Sequence, residues 1–233
     1  MRVKAVFFDA GETLVHPHPS FPELLATVLR EEGHEIDEDT IRERLSVVAH
    51  LFTQATAENR LWSTSPERSR AFWGEVYRTL MTDLGLEYPE TLGERLYSTF
   101  TDLANYRLFD DVVPVLGELR DRGLVLGVIS NFEQWLEHLL EHLEVTPYFQ
   151  AIVISGIEGV EKPDPRIFRL ALDRTGMAPE DSLYVGDNLE FDIEPASAIG
   201  MTAILLDRRG RYPDGPEPRI ASLAELPPFL DDR

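Results

Sequence analysis

An aspartate, Asp9, follows an apolar stretch near the start of the chain, in the segment VKAVFFDAGETL (3–14). Residues 3–8 are almost all apolar, which is typical of a central strand in a parallel sheet covered on both faces. Open α/β sheets bind ligands at the carboxyl ends of such strands, so we expect the chemistry of the protein at this carboxylate. The alternative is that Asp9 caps the turn after the strand.

A serine and an asparagine stand at the end of a second predicted strand. Ser130 ends the stretch LVLGVIS, Asn131 follows it, and a helix is predicted to begin near Glu133. A hydroxyl and backbone N–H groups at a strand-to-helix junction can bind an anion. Ser130 could equally be the N-cap of that helix.

Lysine is so rare in this chain that the position of each one is informative. The chain has two, Lys4 and Lys162, and Lys162 lies in VEKPDPRIF, between a predicted strand and a predicted helix. Pro163 and Pro165 restrict the backbone on either side, so the ammonium group is held by a stiff segment. In a chain with so few lysines, this one lies in the same sheet-edge zone as Asp9, whereas an exposed surface lysine is the alternative.

Two further aspartates follow the apolar stretch SLYV, in the segment GDNLEFD (186–192). Asp187 and Asp192 could converge with Asp9 on one hard cation, and Mg²⁺ prefers carboxylate oxygens together with water and phosphate oxygens. Asp192 could instead cap the next helix, which has Pro195 in its predicted first turn.

The elements that must position these residues fall into two groups. Residues 16–106 contain four successive amphipathic helical patterns, which favour a separate helical module. After the module, strands are predicted at 124–129, 151–154, 183–185 and 202–206, and helices at 111–121, 133–143, 165–174 and 193–199. That alternation is typical of a parallel sheet wrapped by helices. The sequence therefore predicts an α/β domain of residues 1–15 and 107–233, with an all-helical domain of residues 16–106 inserted into it.

The charge and composition of the chain exclude several classes of function. The 233 residues carry a formal net charge of −20, which disfavours binding to nucleic acid or to an anionic membrane. The absence of cysteine excludes disulfides and a cysteine nucleophile. Arg208, Arg209 and Arg211 form a basic cluster that is predicted to be a solvated charge group. The N-terminus passes directly into the first strand without the features of a secretory signal, which favours a cytoplasmic location.

The chain resembles the haloacid dehalogenase (HAD) superfamily of hydrolases, in its subgroup with a helical cap inserted after the first strand. The resemblance covers essentially the whole chain and rests on four motifs in the order FFDAGETL, VISN, EKPDPRIF and VGDNLEFDI. The resemblance implies a Rossmann-like core and a phosphatase that transfers the phosphoryl group of a small phosphorylated metabolite to Asp9. It also implies that the transferring group is bound by Ser130, Asn131 and Lys162, with Lys162 balancing the carboxylates. Mg²⁺ would be held by Asp9, Asp187, Asp192 and the main-chain carbonyl of Gly11.

One position departs from the family pattern. Phosphatases of this family carry a second aspartate two residues after the nucleophile as general acid and base, and the residue here is Gly11. General acid–base catalysis contributes on the order of 10²–10⁴ in rate. The departure therefore predicts slow turnover of alkyl phosphates unless Glu12, His16 or His18 takes over the role.

Gly11 keeps two other functions open. One is a non-catalytic or regulatory binding protein that retains the fold. The other is a 2-haloacid dehalogenase, in which Arg60 or Arg70 of the cap could bind the substrate carboxylate. Phosphonatase chemistry is disfavoured because it requires a cap lysine, and residues 15–106 contain none. The sequence leaves the substrate and the oligomeric state open, and it predicts that Trp62 is the most exposed of the aromatic residues that could line the cap.

Overall fold

The computed structural model describes residues 3–231, which form two compact units. The first contains the described residues up to His16 together with those from Leu108 onward, and the second is Pro17–Arg107. The sequence places both crossings between the units one residue earlier. Within residues 3–231, none of the helices combines the length and the apolar character that a membrane span requires.

Eight strands occur in the described residues, and six of them form one parallel sheet in the first unit. The strands are β1 (Ala5–Phe8), β2 (Val15–Pro17), β3 (Tyr106–Leu108), β4 (Val125–Ser130), β5 (Ala151–Ile154), β6 (Ser182–Gly186), β7 (Thr202–Leu206) and β8 (Arg219–Ile220). The sheet has the order β5-β4-β1-β6-β7-β8, and β2 pairs with β3 in a separate two-stranded sheet. Each adjacent pair in the large sheet runs parallel.

The central position of β1 brings three strand ends together. All four residues of β1 are fully buried, as expected for a strand covered on both faces. Phe8 is level with Val128 of β4 on one side and with Val185 of β6 on the other. The residues that follow these three strands therefore lie next to one another at one edge of the sheet.

Ten α-helices occur in the same part of the chain. They are α1 (Phe21–Glu31), α2 (Glu38–Ala57), α3 (Pro66–Asp83), α4 (Glu90–Thr101), α5 (Val112–Asp121), α6 (Trp135–His142), α7 (Ser155–Glu158), α8 (Pro165–Thr175), α9 (Glu194–Ala198) and α10 (Leu226–Asp231). Helices α5 to α9 contact the strands of the sheet, and α10 packs against α5. This is a Rossmann-like α/β fold with an inserted helical segment, and the predicted fold class is confirmed.

The second unit contains α1 to α4. Three of these helices begin at a residue whose side chain accepts a hydrogen bond from a first-turn N–H group, namely Ser20, Asp37 and Ser65. Their apolar faces form one core that includes Leu25, Leu29, Ile41, Tyr77, Leu80, Met81, Leu92 and Leu96. The helical periodicity of the sequence is therefore explained by burial within this unit.

Several predicted element boundaries differ from the structure. The first strand begins at Ala5, the helix predicted at 133–143 begins at Trp135, and α9 is shorter than predicted because a π-helical turn, Leu189–Ile193, precedes it. The proline-rich connection after the first strand contains β2. The prediction that Trp62 is exposed is wrong, because its side chain is buried against the rings of Phe52 and Phe72, with centroids 4.9 and 5.3 Å away.

Candidate active site

Asp9 lies at the carboxyl end of β1, where the fold brings the strand ends together. Its backbone N–H donates to the carbonyl of Val185 at 2.9 Å, which continues the pairing of β1 with β6 by one residue. Its carboxylate Oδ1 accepts hydrogen bonds from Ser130 Oγ at 3.1 Å and from Lys162 Nζ at 2.7 Å. Ser130 therefore contacts Asp9, while the residue that precedes α6 is Gln134, so the interpretation of Ser130 as an N-cap is wrong.

The ammonium group of Lys162 is buried and fully hydrogen-bonded. It donates to Asp9 Oδ1 at 2.7 Å, to Asp192 Oδ1 at 2.6 Å and to the hydroxyl of Tyr184 at 3.1 Å. A lysine ammonium has three N–H groups, so these three partners use its full capacity. Burial alone would lower its pKa, but the charges of Asp192 and Asp9 outweigh burial and raise the pKa of Lys162 above its ordinary value. Lys162 is therefore a permanent cation that joins two carboxylates.

Asn131 fixes the backbone on which Lys162 stands. Its side-chain Nδ2 donates to the carbonyl of Lys162 at 2.8 Å, and its Oδ1 accepts from the N–H of Lys162 at 2.6 Å. The two bonds form a ring that ties the loop before α8 to the end of β4. Both polar atoms of the Asn131 side chain are thus used within the protein, and its role in binding phosphate stays a prediction.

Asp192 points back toward the end of β6. Its Oδ1 is 3.0 Å from the hydroxyl of Tyr184, and its Oδ2 accepts from the backbone N–H of Asn188 at 3.0 Å. The cap of the following turn is Asn188, whose side chain accepts from two backbone N–H groups. The alternative in which Asp192 caps the next helix is therefore wrong. A Cβ at Gly186 would lie 2.4 Å from Asp192 Cγ, so the carboxylate sits where a larger residue would be.

Three carboxylates form a cluster that is suited to a hard divalent cation. Asp9, Asp187 and Asp192 each offer one oxygen, and these oxygens lie within 4.8 Å of one another. Burial raises the pKa of Asp9 and of Asp187, and the neighbouring carboxylates raise both further, although Lys162 and Arg211 oppose this. The positive charge of Lys162 and Arg211 is therefore too small to neutralise the three carboxylates. Oxygen donors at these separations fit Mg²⁺.

The prediction that the basic cluster after β7 is a solvated charge group is wrong for Arg208, whose side chain is largely buried, whereas Arg209 and Arg211 are exposed and each pairs with a carboxylate. Arg208 binds both carboxylate oxygens of Asp111 at 2.8 Å, and its side chain is 13% exposed. Arg209 pairs with Glu12 at 2.7 Å. Arg211 pairs with the carboxylate of Asp187. The three arginines thus connect the segment after β7 to other parts of the first unit. Arg209 pairs with a residue that is close to Asp9 in sequence, and Arg211 pairs with a carboxylate that is close to Asp9 in space.

The residues that could replace the missing acid have other contacts. Gly11 forms an isolated bridge with Val15, and a Cβ there would meet Phe132 alone, at 4.0 Å. Glu12 faces Arg209, and the ring of His16 packs against a phenylalanine ring with centroids 4.5 Å apart. His18 belongs to the second unit. A metal-binding role of the Gly11 carbonyl stays a prediction.

Two residues of this site were not predicted from the sequence, Tyr184 and Arg211. Tyr184 is fully buried in β6, and its hydroxyl lies 3.0 Å from the carbonyl of Ile129 as well as beside Lys162 and Asp192. The alternation of a strand could have indicated it, because residues 184 and 186 point to the same face of the sheet. The spacing of the arginines offers no comparable indication.

Comparison with known proteins assigns the chain to a family. A model of the haloacid dehalogenase-like hydrolases matches residues 3–200. The chain belongs to this family. The resemblance inferred from the sequence motifs is confirmed, and the aspartates, Ser130 and Lys162 all lie inside the matched residues.

Curated relatives of this HAD-like hydrolase align over nearly its whole length. Haloacid dehalogenase-like hydrolase domain-containing protein 3 of Homo sapiens is 30% identical, covering 99% of this chain and 95% of that protein. The phosphoserine phosphatase of Thermus thermophilus is 30% identical, with coverages of 96% and 98%. The glyceraldehyde 3-phosphate phosphatase of Methanopyrus kandleri is 32% identical, with coverages of 99% and 94%.

Solved structures support the fold. A putative HAD-hydrolase from Bacillus subtilis bound to magnesium superposes with a TM-score of 0.79 at 18% identity, covering 99% of this chain and 100% of that one. The L-2-haloacid dehalogenase from Xanthobacter autotrophicus superposes with a TM-score of 0.73 at 19% identity, covering 98% of each chain. Both phosphatases and dehalogenases thus occur among the relatives and neighbours of this HAD-like hydrolase.

Proposed function

We propose that this HAD-like hydrolase is a Mg²⁺-dependent phosphatase of small phosphorylated metabolites that works through a phosphoryl group carried on Asp9. The observation that carries the proposal is the placement of Asp9, which contacts Lys162 at 2.7 Å and lies within 4.8 Å of two further carboxylates. The names of two curated relatives, a phosphoserine phosphatase and a glyceraldehyde 3-phosphate phosphatase, support the same reaction class.

In the proposed reaction the Asp9 carboxylate attacks the phosphorus atom of the substrate. The bond from phosphorus to the ester oxygen breaks, and the leaving group departs as an oxyanion, which takes a proton from the solvent. Water then attacks the phosphorus of the aspartyl phosphate, which releases inorganic phosphate and restores the carboxylate. Lys162 favours the ionised form of Asp9 and orients it, since its ammonium group donates a hydrogen bond to Oδ1. Bound Mg²⁺ would supply positive charge opposite the phosphoryl oxygens, where negative charge is spread in the transition state.

Gly11 sets the expected order of substrates. Without an acid two residues after Asp9, the leaving oxygen departs unprotonated, so the rate depends strongly on the pKa of the leaving group. Acyl and aryl phosphates should react faster than alkyl phosphates. Glu12 is paired with Arg209 and would have to leave it to act as the acid.

A phosphate-release assay tests the proposal. Acetyl phosphate, aryl phosphates of graded leaving-group pKa and an alkyl phosphate are compared with Mg²⁺ and with a chelator, for the wild type and for Asp9→Asn. We expect Mg²⁺-dependent release that falls steeply as the leaving-group pKa rises, and none from Asp9→Asn. Wild-type rates in Asp9→Asn would contradict the assignment of the nucleophile, and circular dichroism checks that the variant is folded.

The same assay separates the alternative that Gly11 favours. A binding or regulatory protein would bind Mg²⁺ and release phosphate from none of these substrates. A 2-haloacid dehalogenase would release chloride from a 2-haloacid in the presence of chelator. The arginines considered for that reaction, Arg60 and Arg70, pair with Glu75 and Glu94 within the helical unit.

Two further parts of the proposal concern the helical unit and the cell. We propose that Pro17–Arg107 serves as the cap that selects the substrate, as lids do when they exclude water from a reaction. A metabolite screen of the wild type against Asp9→Asn would identify that substrate. A cytoplasmic location stays a prediction.

A further inference from the structure

The cations near the carboxylates have unequal freedom to bind a substrate. Lys162 donates all three of its N–H groups to protein atoms, and its side chain is 3% exposed. The second lysine of the chain, Lys4, pairs with Asp181 at 2.7 Å. A dianionic phosphate ester approaching a protein of net charge −20 therefore needs positive charge from another side chain as well as from a metal.

Arg211 is a cation that reaches the cluster from the solvent side. Its Nη2 donates to both the carboxylate and the backbone carbonyl of Asp187. Its side chain is 46% exposed, whereas that of Asp187 is 14% exposed. Arg211 thus covers the most accessible of the three clustered carboxylates.

The backbone that carries Arg211 is held independently of its guanidinium group. The carboxylate of Asp207 accepts from the backbone N–H of Arg211 at 2.7 Å and from that of Tyr212 at 2.9 Å. A change in the side chain of residue 211 leaves both bonds possible. The guanidinium can therefore leave Asp187 while the segment after β7 stays in place.

The charges at the cluster predict when that movement occurs. Three carboxylates face two cations, Lys162 and Arg211, so the metal-free cluster has one negative charge in excess. A divalent cation reverses the sign of this excess. Arg211 and the metal then compete for the same carboxylate and repel each other, while an anion becomes the favoured partner of both.

We propose that Arg211 is an exchangeable cation of this site, which holds Asp187 until a divalent metal binds that carboxylate and then binds the phosphoryl group of the substrate. This inference rests on the proposed function, since it assigns a binding residue for the phosphorylated substrate. A planar guanidinium suits this task because it can donate two parallel hydrogen bonds to a phosphate.

Calorimetric titrations of Arg211→Gln test both steps without turnover. Mg²⁺ alone is titrated first, and inorganic phosphate is then titrated in saturating Mg²⁺. Arg211 is half-exposed, so solvent partly screens its charge. We expect Mg²⁺ affinity to rise by about tenfold and phosphate affinity to fall by about tenfold, which is about 1.4 kcal/mol in each case. Arg209→Gln is the matched control, because it removes the same charge from the same segment, and its side chain is similarly exposed at 49% but pairs with Glu12.

The proposal is overturned if Arg211→Gln binds Mg²⁺ as the wild type does or more weakly, since Arg211 would then merely orient Asp187. It is also overturned if phosphate affinity is unchanged, or if Arg209→Gln shows the same shifts. Arg211→Lys should restore part of the phosphate affinity, because it keeps the charge without the fork. If the wild type releases phosphate from none of the substrates while both binding shifts are present, the phosphatase is refuted and the exchangeable cation is left intact.

Discussion

Replacing Gly186 by alanine should displace the Asp192 carboxylate from the cluster, although no charged residue is replaced. The added Cβ would lie 2.4 Å from Asp192 Cγ and 2.6 Å from Asp192 Cβ, whereas ordinary contacts begin at 3.4 Å. The side chain must therefore retreat by about 1 Å, and rotation cannot avoid the clash because its own Cβ is also too close. Bonds of 2.6 Å to Lys162 and 3.0 Å to the N–H of Asn188 do not survive such a shift together.

The expected magnitudes follow from these contacts. Overpacking costs about 1–3 kcal/mol in the free energy of unfolding, and the loss of one charge-assisted bond adds about 1.5–3 kcal/mol. Displacement of a metal-binding carboxylate should lower Mg²⁺ affinity by on the order of 10–100-fold or more. Urea denaturation in chelator measures the first quantity, and calorimetric titration of the folded variant measures the second.

A second glycine in the sheet provides the control. In Gly127→Ala the new Cβ would lie 2.6 Å from the ring of Phe7, on the neighbouring strand and within the apolar core. This variant should lose a similar amount of stability to overpacking and keep its Mg²⁺ affinity. Wild-type Mg²⁺ affinity in Gly186→Ala, or an equal loss of affinity in Gly127→Ala, would refute the placement of Asp192 in the metal site.

Three further changes give distinct expected results. Gly11→Asp has room in the structure and should raise turnover of alkyl phosphates more than that of aryl phosphates; an equal effect on both, in a leaving-group series, would mean that another residue already acts as the acid. Lys162→Met leaves Asp9 and Asp192 buried without their cation and should lower the free energy of unfolding by about 3–5 kcal/mol, measured by urea titrations with chelator. A loss below about 1 kcal/mol would contradict the ion pairs of Lys162 with these two carboxylates. Asp111→Asn should flatten the loss of stability on acidification, measured by urea titrations from neutral pH down to pH 3.

The sign of that last prediction follows from the contacts of Asp111. Burial would raise its pKa, but hydrogen bonds from Arg208 and Ser222 and the charge of Arg208 overcome burial, so the pKa of Asp111 lies below its ordinary value. A carboxylate whose pKa is lower in the folded state stabilises the fold above its unfolded pKa, near 3.9, and loses that contribution as the pH falls through the folded value. An equally steep acid transition in the variant would show that Asp111 contributes little.

The convergence of Asp9 and Lys162 could be predicted from the sequence because the carboxyl ends of the parallel strands of one sheet lie at the same edge. Apolar stretches also gave the bounds of β5 and β7 without error. The strands β2, β3 and β8 were missed because two or three residues are too few to show a periodicity of two.

The contacts of Tyr184 and Arg211 could not be predicted by the same reasoning. An aromatic residue in a buried strand is usually explained by packing alone, so the sequence does not indicate that the hydroxyl of Tyr184 belongs to the site. Arg211 pairs with Asp187, which lies 24 residues earlier in the chain. A helix and a strand separate the two residues, and the packing of these elements determines whether the side chains come into contact. An arginine beside two others in a loop is usually exposed, as Arg211 is, and the local sequence does not indicate which carboxylate it will meet.

The ring of two hydrogen bonds between Asn131 and the main chain of Lys162 restricts which amino acid can occupy position 131. Aspartate would keep the acceptor and lose the donor, and leucine, of similar shape, would leave two backbone groups of Lys162 unsatisfied. Glutamine has the right atoms on a stem that is one methylene too long. The loop that carries Lys162 therefore requires a side chain at position 131 with a donor, an acceptor and this length. Substitutions at position 131 thus test how precisely the ammonium group of Lys162 must be positioned.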